Sequence, residues 1–298
     1  MKKQLTYPVT HDMDGNKIEE FLRSRGYSKH LIIQLKLSPD GITIGGEKVY
    51  VTHVLKEGEI LTIRLNETDT SENIVPTQMP LDIVYEDEDL FVINKPAGLP
   101  IHPSQGHYDH TLANGMAWYC AQHGEPFVYR AINRLDRDTS GLMMFAKDEK
   151  TQYTLRDHWH DIVTDRRYVA VVTGEMEKDS DTVVSWLTDR TLYVSSSSYD
   201  DGGSKSITHY RTIKRANGYS LVELRLETGR KNQIRVHMQD LGHPLIGDGR
   251  YGIDGGPNPL GRLALHAFKL CFYHPVTDQL MEFETPYPPT FKKLFLKK

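Results

Sequence analysis

Asn133-Arg134-Leu135-Asp136-Arg137-Asp138-Thr139-Ser140-Gly141-Leu142 is the stretch on which the interpretation of this chain depends. Two arginines alternate with two carboxylates, and the Thr-Ser-Gly that follows is typical of a turn. The apolar run 142–146 then favours a strand. The pattern predicts an acidic group on a tight loop beside a sheet, where a rigid scaffold commonly holds catalytic groups. On composition alone, either Asp136 or Asp138 could be the reacting carboxylate.

Further segments carry information in a fixed order along the chain. Residues 86–98 read Glu-Asp-Glu-Asp-Leu-Phe-Val-Ile-Asn-Lys-Pro-Ala-Gly, and residues 167–174 read Arg-Tyr-Val-Ala-Val-Val-Thr-Gly. Residues 228–237 read Thr-Gly-Arg-Lys-Asn-Gln-Ile-Arg-Val-His, and Gly-His-Pro-Leu-Ile-Gly-Asp follows at 242–248. Together with 133–141, these segments closely resemble the RluA-type family of RNA pseudouridine synthases.

The resemblance extends over residues 81–288 and has two departures. The family signature is His-Arg-Leu-Asp, two variable residues and Thr-Ser-Gly, and Asn133 stands here in place of the histidine. Lys231 and Asn232 stand where a small residue and a histidine are common in the family. Both departures flank the catalytic positions, so they concern local packing or substrate preference more than catalysis.

The resemblance implies an α+β fold, the pseudouridine synthase fold, with a mixed, largely antiparallel sheet and a central cleft. Periodicity in the chain agrees with this class. Residues 220–227 alternate between apolar and charged side chains, as a half-buried strand does, and 268–284 read as a hairpin. Helices are expected at 151–163 and 232–241, without the regular alternation of a doubly wound sheet.

The resemblance also assigns roles to side chains. Asp136 would be the nucleophile, attacking either the anomeric carbon of the ribose or a ring carbon of the uracil. Arg235 would pair with it and keep it ionised and oriented. Tyr168 would stack on the base and take part in proton transfer. The target uridine must be unpaired or extruded from its helix. Nearby basic side chains would hold backbone phosphates: Arg134, Arg137 and Arg230.

The N-terminal part, residues 1–66, predicts a separate small domain. Apolar residues and a glycine at position 26 indicate one short helix over 18–25, and a second helix is expected to begin near Ser28. A hairpin around Gly45-Gly46 and a strand over 58–65 follow. The helical pair carries four basic side chains: Arg23, Arg25, Lys29 and Lys36. This part is similar to the α-L RNA-binding domain. The polar stretch 67–80 predicts a linker, and 81–298 would be the catalytic domain.

Composition restricts the class of protein. The chain has 298 residues, 26% of them charged and 38% hydrophobic, which suits a soluble globular protein. It has neither an apolar run of about 18 residues nor the pattern of a secretory signal, so we expect a cytoplasmic protein without membrane contact. Cys120 and Cys271 stand far apart and outside any CxxC pair, so we expect buried thiols and no disulfide or cysteine zinc site.

The distribution of charge bears on RNA binding. The net charge is -4. Residues 1–66 contain ten Lys and Arg against eight Asp and Glu, and the rest contains 26 against 32. RNA contact must therefore come from local basic patches. The resemblance implies a cofactor-free, metal-free reaction by a monomer, on ribosomal RNA of the large subunit or, as an alternative, on transfer RNA.

Competing interpretations fit the residues less well. Asp136-Arg137-Asp138 resembles the nucleophile motif of haloacid-dehalogenase-type phosphatases, which require magnesium, but residues 129–134 are polar where that class has a buried strand. Residues 247–252 match a dinucleotide fingerprint without the helix that must follow it. His102, His107 and His110 lack the spacing of a metal site. An RNA-binding protein with an inactive synthase fold is disfavoured because the three expected catalytic residues are intact.

Overall fold

The computed structural model describes residues 2–66, 71, 73–189, 193–253, 256 and 258–296. Its strands are β1 Lys2–Pro8, β2 Ile42–Ile44, β3 Glu47–Lys48, β4 Ile60–Asn66, β5 Ile83–Glu86, β6 Leu90–Lys95, β7 Ser140–Ala146, β8 Val163–Thr173, β9 Ser180–Thr188, β10 Ser195–Ser197, β11 Ser204–Ala216, β12 Tyr219–Leu226, β13 Leu265–Tyr273 and β14 Leu280–Glu284. Its helices are α1 Ile18–Ser24, α2 Lys29–Leu37, α3 Leu112–Gln122, α4 Glu149–Asp157, α5 Trp159–Ile162, α6 Gln233–Asp240 and α7 Pro289–Lys293. In the described ranges, none of these helices has the length and apolar character needed to cross a membrane.

The N-terminal part folds around its own apolar core. Four strands form a sheet in the order β1-β4-β2-β3, and α1 and α2 pack on it through side chains such as Ile18 and Leu35. The hydroxyl of Ser28 accepts the Leu31 N–H and begins α2, and Gly26 adopts a φ of 77° just after α1. Both predicted helices are confirmed. β3 covers only two residues, so the hairpin is shorter than expected.

A second, larger sheet occupies the rest of the chain. Among the described residues it has ten strands, nine of them in the order β10-β9-β11-β12-β8-β13-β7-β6-β5 and the tenth, β14, paired to β13. All of its strand pairs are antiparallel except β7 with β13, which is parallel. The expected α+β class with a mixed, largely antiparallel sheet is therefore confirmed.

Gly141 allows β7 to begin very close to β13. Its φ is 117°, and a Cβ at this position would lie 2.2 Å from the backbone oxygen of Ala267, a separation no side chain can adopt. Any other residue would force the two strands apart. The loop that precedes β7 is thereby held close to β13.

Both faces of β7 are buried. Successive side chains of a strand point to opposite faces, and Met143 and Phe145 join one apolar cluster with α3, while Leu142 and Met144 join another with α4. On this second face the expected helix over 151–163 is wrong as one element. The structure has two helices, α4 and α5, which are separated at His158.

The segment predicted to be a linker packs against the larger core where it is described. Ile74 is buried within the α3 cluster, and the side-chain amide of Asn114 donates to the Val75 oxygen at 2.8 Å. Residues 67–70 and 72 lie outside the described residues. The division of the chain into residues 1–66, 67–80 and 81–298 stays a prediction.

A buried ion triad, formed by Lys3, Asp89 and Asp148, joins the two parts of the chain. The Lys3 ammonium on β1 donates to Asp148 at 3.0 Å and also to Asp89. Burial opposes its charge, but the two carboxylates more than offset this and raise the pKa of Lys3. Nearby, the Ser28 hydroxyl donates to Glu149 on α4 at 2.6 Å. The N-terminal part is therefore held against α4 by polar contacts.

Lys3→Met tests this triad. It keeps an apolar stem but leaves two buried carboxylates without their cation, so the unfolding free energy should fall by about 3–5 kcal/mol. Lys56→Met, at an exposed lysine, is the control and should change it by less than about 0.5 kcal/mol. Urea unfolding measures both values. Equal stability of the two variants would contradict a stabilising triad.

Candidate active site

The loop before β7 is anchored in the core by a buried residue and closed by a turn. Leu135 is buried in the main apolar cluster, and the Thr139 N–H donates to the backbone oxygen of Asp136 at 3.1 Å. Between these anchors the Asp136 side chain is 31% exposed. It therefore faces solvent from a fixed backbone.

Arg235, on the first turn of α6, joins this loop to the turn at residue 248. Its Nη1 donates to Asp136 Oδ2 at 3.0 Å. Its Nε and Nη2 donate to the two oxygens of Asp248 at 2.7 and 2.8 Å. Burial opposes the charge on the guanidinium, but its hydrogen bonds to Asp248 and the nearby Asp136 more than offset this and raise the pKa of Arg235. The cation is therefore permanent and shared by two carboxylates.

Tyr168 lies in the middle of the sheet, on β8, between Leu224 of β12 and Ala267 of β13. It is 8% exposed. Burial raises the pKa of its phenol, and the charge of Asp136 raises it further, although the charge of Arg166 acts in the opposite direction. The phenol therefore keeps its proton at neutral pH and can serve as a donor beside the carboxylate.

The three arginines expected to bind phosphate are all exposed: Arg134, Arg137 and Arg230. Arg134 and Arg137 flank Asp136 on the loop, and Arg137 forms a two-point contact with Asp138 at 3.0 and 3.1 Å. Arg230 precedes α6. The two carboxylates of the loop are thus distinguished by their partners, because Asp138 pairs with an exposed arginine and Asp136 pairs with a half-buried one.

Asn133, which replaces the histidine of the RluA-type signature, has a structural role. Its amide nitrogen donates to the Leu142 oxygen at 3.3 Å, and its amide oxygen accepts the Met144 N–H at 2.8 Å. These are the backbone groups that a neighbouring strand would otherwise pair with. Asn133 therefore closes this part of β7 and ties the loop to the sheet.

Lys95 supports the loop from inside, a role that the sequence did not reveal although Lys95 lies in one of the segments quoted above. It is fully buried, and its ammonium donates to the backbone oxygens of Pro96, Leu99 and Arg137 at 2.8, 2.9 and 2.8 Å. Burial lowers the pKa of Lys95 to about 7, while three carbonyl acceptors favour the charged form. The bond to Arg137 fixes the backbone next to Asp136.

A group of metal-ligand side chains lies elsewhere in the described part of the chain: Asp87, Asp89 and His274. The Nδ1 atom of His274 accepts the N–H groups of Val276 and Thr277, so its Nε2 carries the proton and donates to Asp87 at 2.9 Å. The Lys3 ammonium already binds Asp89. The residues of this group satisfy one another and do not fit a metal ion.

The chain is similar to known proteins over most of its length. Residues 89–240 match the family described as RNA pseudouridylate synthase. The chain is 38% identical over 277 residues to an uncharacterized RNA pseudouridine synthase of Bacillus subtilis (strain 168), covering 93% of this chain and 97% of that one. It is 33% identical over 312 residues to the ribosomal large subunit pseudouridine synthase D of Vibrio vulnificus (strain CMCP6), covering 98% and 93%. The solved structure of human RNA pseudouridylate synthase domain containing 1 superposes with a TM-score of 0.60, at 25% identity, over 72% of this chain and 86% of that one.

Lys95→Met tests the charge state of the buried ammonium. Because the folded-state pKa is lowered to about 7 from an ordinary 10.5, the unfolded chain binds more protons between these pH values. The stabilisation this gives is fully present above 10.5 and is lost as the pH falls through about 7. The unfolding free energy of the wild type, relative to that of Lys95→Met, should therefore rise with pH across this window.

Denaturant unfolding at several pH values in this window measures the difference between the two proteins. Lys214→Met, at an exposed lysine on β11, is the matched control and should track the wild type at each pH. If the difference in unfolding free energy between wild type and Lys95→Met does not change with pH, the lowered pKa of Lys95 is contradicted. That result would mean that the three carbonyls keep the ammonium charged.

Proposed function

The chain belongs to the RNA pseudouridylate synthase family, and from this we propose that Asp136 is the nucleophile with which it isomerises uridine in RNA. The observation that carries the proposal is the ion pair between Asp136 and Arg235. Asp138, the other carboxylate of the loop, pairs with Arg137 at the surface. A nucleophilic carboxylate needs its charge and a fixed direction, and the half-buried guanidinium supplies both.

The contact leaves one oxygen of Asp136 for attack. Oδ2 accepts from Arg235, so Oδ1 is the oxygen expected to react, at either the anomeric carbon of the ribose or a ring carbon of the uracil. The bond between N1 of the base and the ribose breaks, the base turns, C5 bonds to the same ribose carbon, and the bond to Asp136 breaks to release the carboxylate. C5 loses a proton and N1 gains one, so the reaction needs no oxidant, reductant or cofactor.

Tyr168 is proposed to contact the base. Its ring lies on the sheet beside Asp136 and is apolar enough to stack on a uracil that has left its helix. The phenol keeps its proton because burial raises its pKa, so it can donate a proton or a hydrogen bond during the turn of the base.

The RNA is proposed to lie across exposed basic residues at the site. Arg134, Arg137 and Arg230 would hold phosphates around the target uridine. The N-terminal part adds Lys29 and Lys36, both exposed on α2, as expected for an α-L RNA-binding domain. Several similar proteins are named as ribosomal large subunit synthases, which supports ribosomal RNA of the large subunit as the substrate. Transfer RNA is the alternative.

An assay with two matched variants tests the nucleophile. Unmodified large-subunit ribosomal RNA and transfer RNA are incubated with wild type, Asp136→Asn or Asp138→Asn in EDTA, and pseudouridine is measured by mass spectrometry. Asp136→Asn should form no detectable product, because the amide cannot attack. Asp138→Asn should keep the wild-type order of activity. The proposal fails if Asp136→Asn is active or if Asp138→Asn alone is inactive.

A second pair of variants tests the N-terminal part. Neutralising both lysines in Lys29→Gln/Lys36→Gln removes two candidate phosphate contacts, so RNA affinity should fall. The slope of log affinity against log salt should flatten by about 1–2. Lys292→Gln/Lys293→Gln, on α7, removes the same charge elsewhere and should bind like the wild type. Equal salt slopes for all three proteins would exclude RNA contact by α2.

A further inference from the structure

We propose that Asp248 is a positioning residue that holds the guanidinium of Arg235 in the plane from which it can bind Asp136. The inference rests on the proposed role of Asp136 and concerns how the ion pair is kept in place. The side chain of Asp248 has no exposed surface. In the sequence, Asp248 lies 112 residues after Asp136. In the described part of the chain, Arg235 links Asp248 to Asp136.

The guanidinium of Arg235 is restrained on every side. Nε and Nη2 form the two parallel bonds to Asp248, a fork that fixes the plane of the group. Nη1, the nitrogen outside the fork, donates to Asp136 Oδ2 at 3.0 Å and to the side-chain oxygen of Asn232 at 3.1 Å. The Cζ atom of Arg235 lies over the ring of Tyr251, 4.9 Å from its centre. Rotation would break at least one of these contacts.

Asp248 is itself held by backbone groups as well as by the arginine. Its Oδ1 accepts the N–H groups of Arg250 and Tyr251, each at 2.9 Å. Burial opposes ionisation, but Arg235 and these N–H groups more than offset it and hold the pKa of Asp248 below its usual value. A permanently charged anchor of known position therefore stands behind Arg235.

The arrangement matters most when Asp136 reacts. Once Asp136 becomes bonded to substrate carbon, it no longer carries a full negative charge. Without Asp248, Arg235, whose side chain is only 13% exposed, would then be a buried cation with no counter-ion, which is costly. Asp248 keeps that charge balanced through the reaction, so Nη1 stays in place to receive the carboxylate when it is released.

Asp248→Asn separates the role toward Arg235 from the role in the turn. The amide oxygen can still accept at the Oδ1 position, from Arg250, Tyr251 and Arg235 Nη2. At the Oδ2 position an NH2 group would face Arg235 Nε–H, donor against donor. The matched control is Asp189→Asn. It removes the same charge from an exposed residue that pairs with Lys231, which lies just before α6.

The measurement is a single-turnover rate of pseudouridine formation beside the dissociation constant for the same RNA. Asp248→Asn should slow the rate about 10- to 100-fold, as expected for loss of a charge-assisted hydrogen bond, and should leave the dissociation constant within about twofold. Asp189→Asn should match the wild type in both. A wild-type rate, or a loss confined to RNA affinity, would overturn the proposal.

A double-mutant cycle with Arg235→Lys excludes a merely structural effect. Lysine cannot form the fork, so Asp248→Asn should slow the reaction little further in that background. An equal loss in both backgrounds would mean that Asp248 acts independently of Arg235. If Asp248→Asn does not fold, Asp248→Glu is the second variant. It keeps the charge but displaces the fork by one methylene, so a wild-type rate from it would refute positioning.

The result is distinguishable from failure of the proposed function. If Asp136→Asn stays active while Asp248→Asn is slow in the wild-type background alone, the nucleophile is misassigned but Asp248 still positions Arg235. If Asp136→Asn is inactive and Asp248→Asn has the wild-type rate, the nucleophile stands and the positioning role is refuted.

Discussion

The close approach of β7 and β13 at Gly141 is the constraint on which the site depends. It lets the start of β7 pair in parallel with β13 at very short distance, so the loop before β7 emerges close to an inner strand of a wide sheet. Tyr168 then lies on β8, on the other side of β13, and α6 brings Arg235 from a distant part of the chain. With any other residue at position 141, the loop would move away from the sheet, and the proposed catalytic groups would no longer lie close together.

The site combines buried ionisable side chains with fixed backbone groups. Lys95 bonds three carbonyl oxygens below the loop, and Asp248 accepts two backbone N–H groups behind Arg235. Buried charges without partners would destabilise the fold by several kcal/mol. Here each is satisfied, so the same contacts that permit burial also hold the reacting carboxylate in one orientation.

Sequence patterns predicted the loop, the strand after it and the family, because these depend on local spacing and on motifs that occur in order. They did not predict β1, whose residues are largely polar and whose pairing partner β4 lies at the far end of the N-terminal part. The break between α4 and α5 was also missed, since the apolar spacing continues through His158. The supporting roles of Lys95 and Asp248 could not be inferred, because each depends on contacts made only in the folded chain.

The ion triad at Lys3 has a consequence for recognition of a large substrate. Because it holds the N-terminal part against α4, the two parts would offer their basic side chains at a set separation. The second contact with one RNA would then be intramolecular, at a high effective concentration, and little rotational freedom would be lost when it forms. The protein would therefore favour RNA molecules whose shape allows both contacts at the same time.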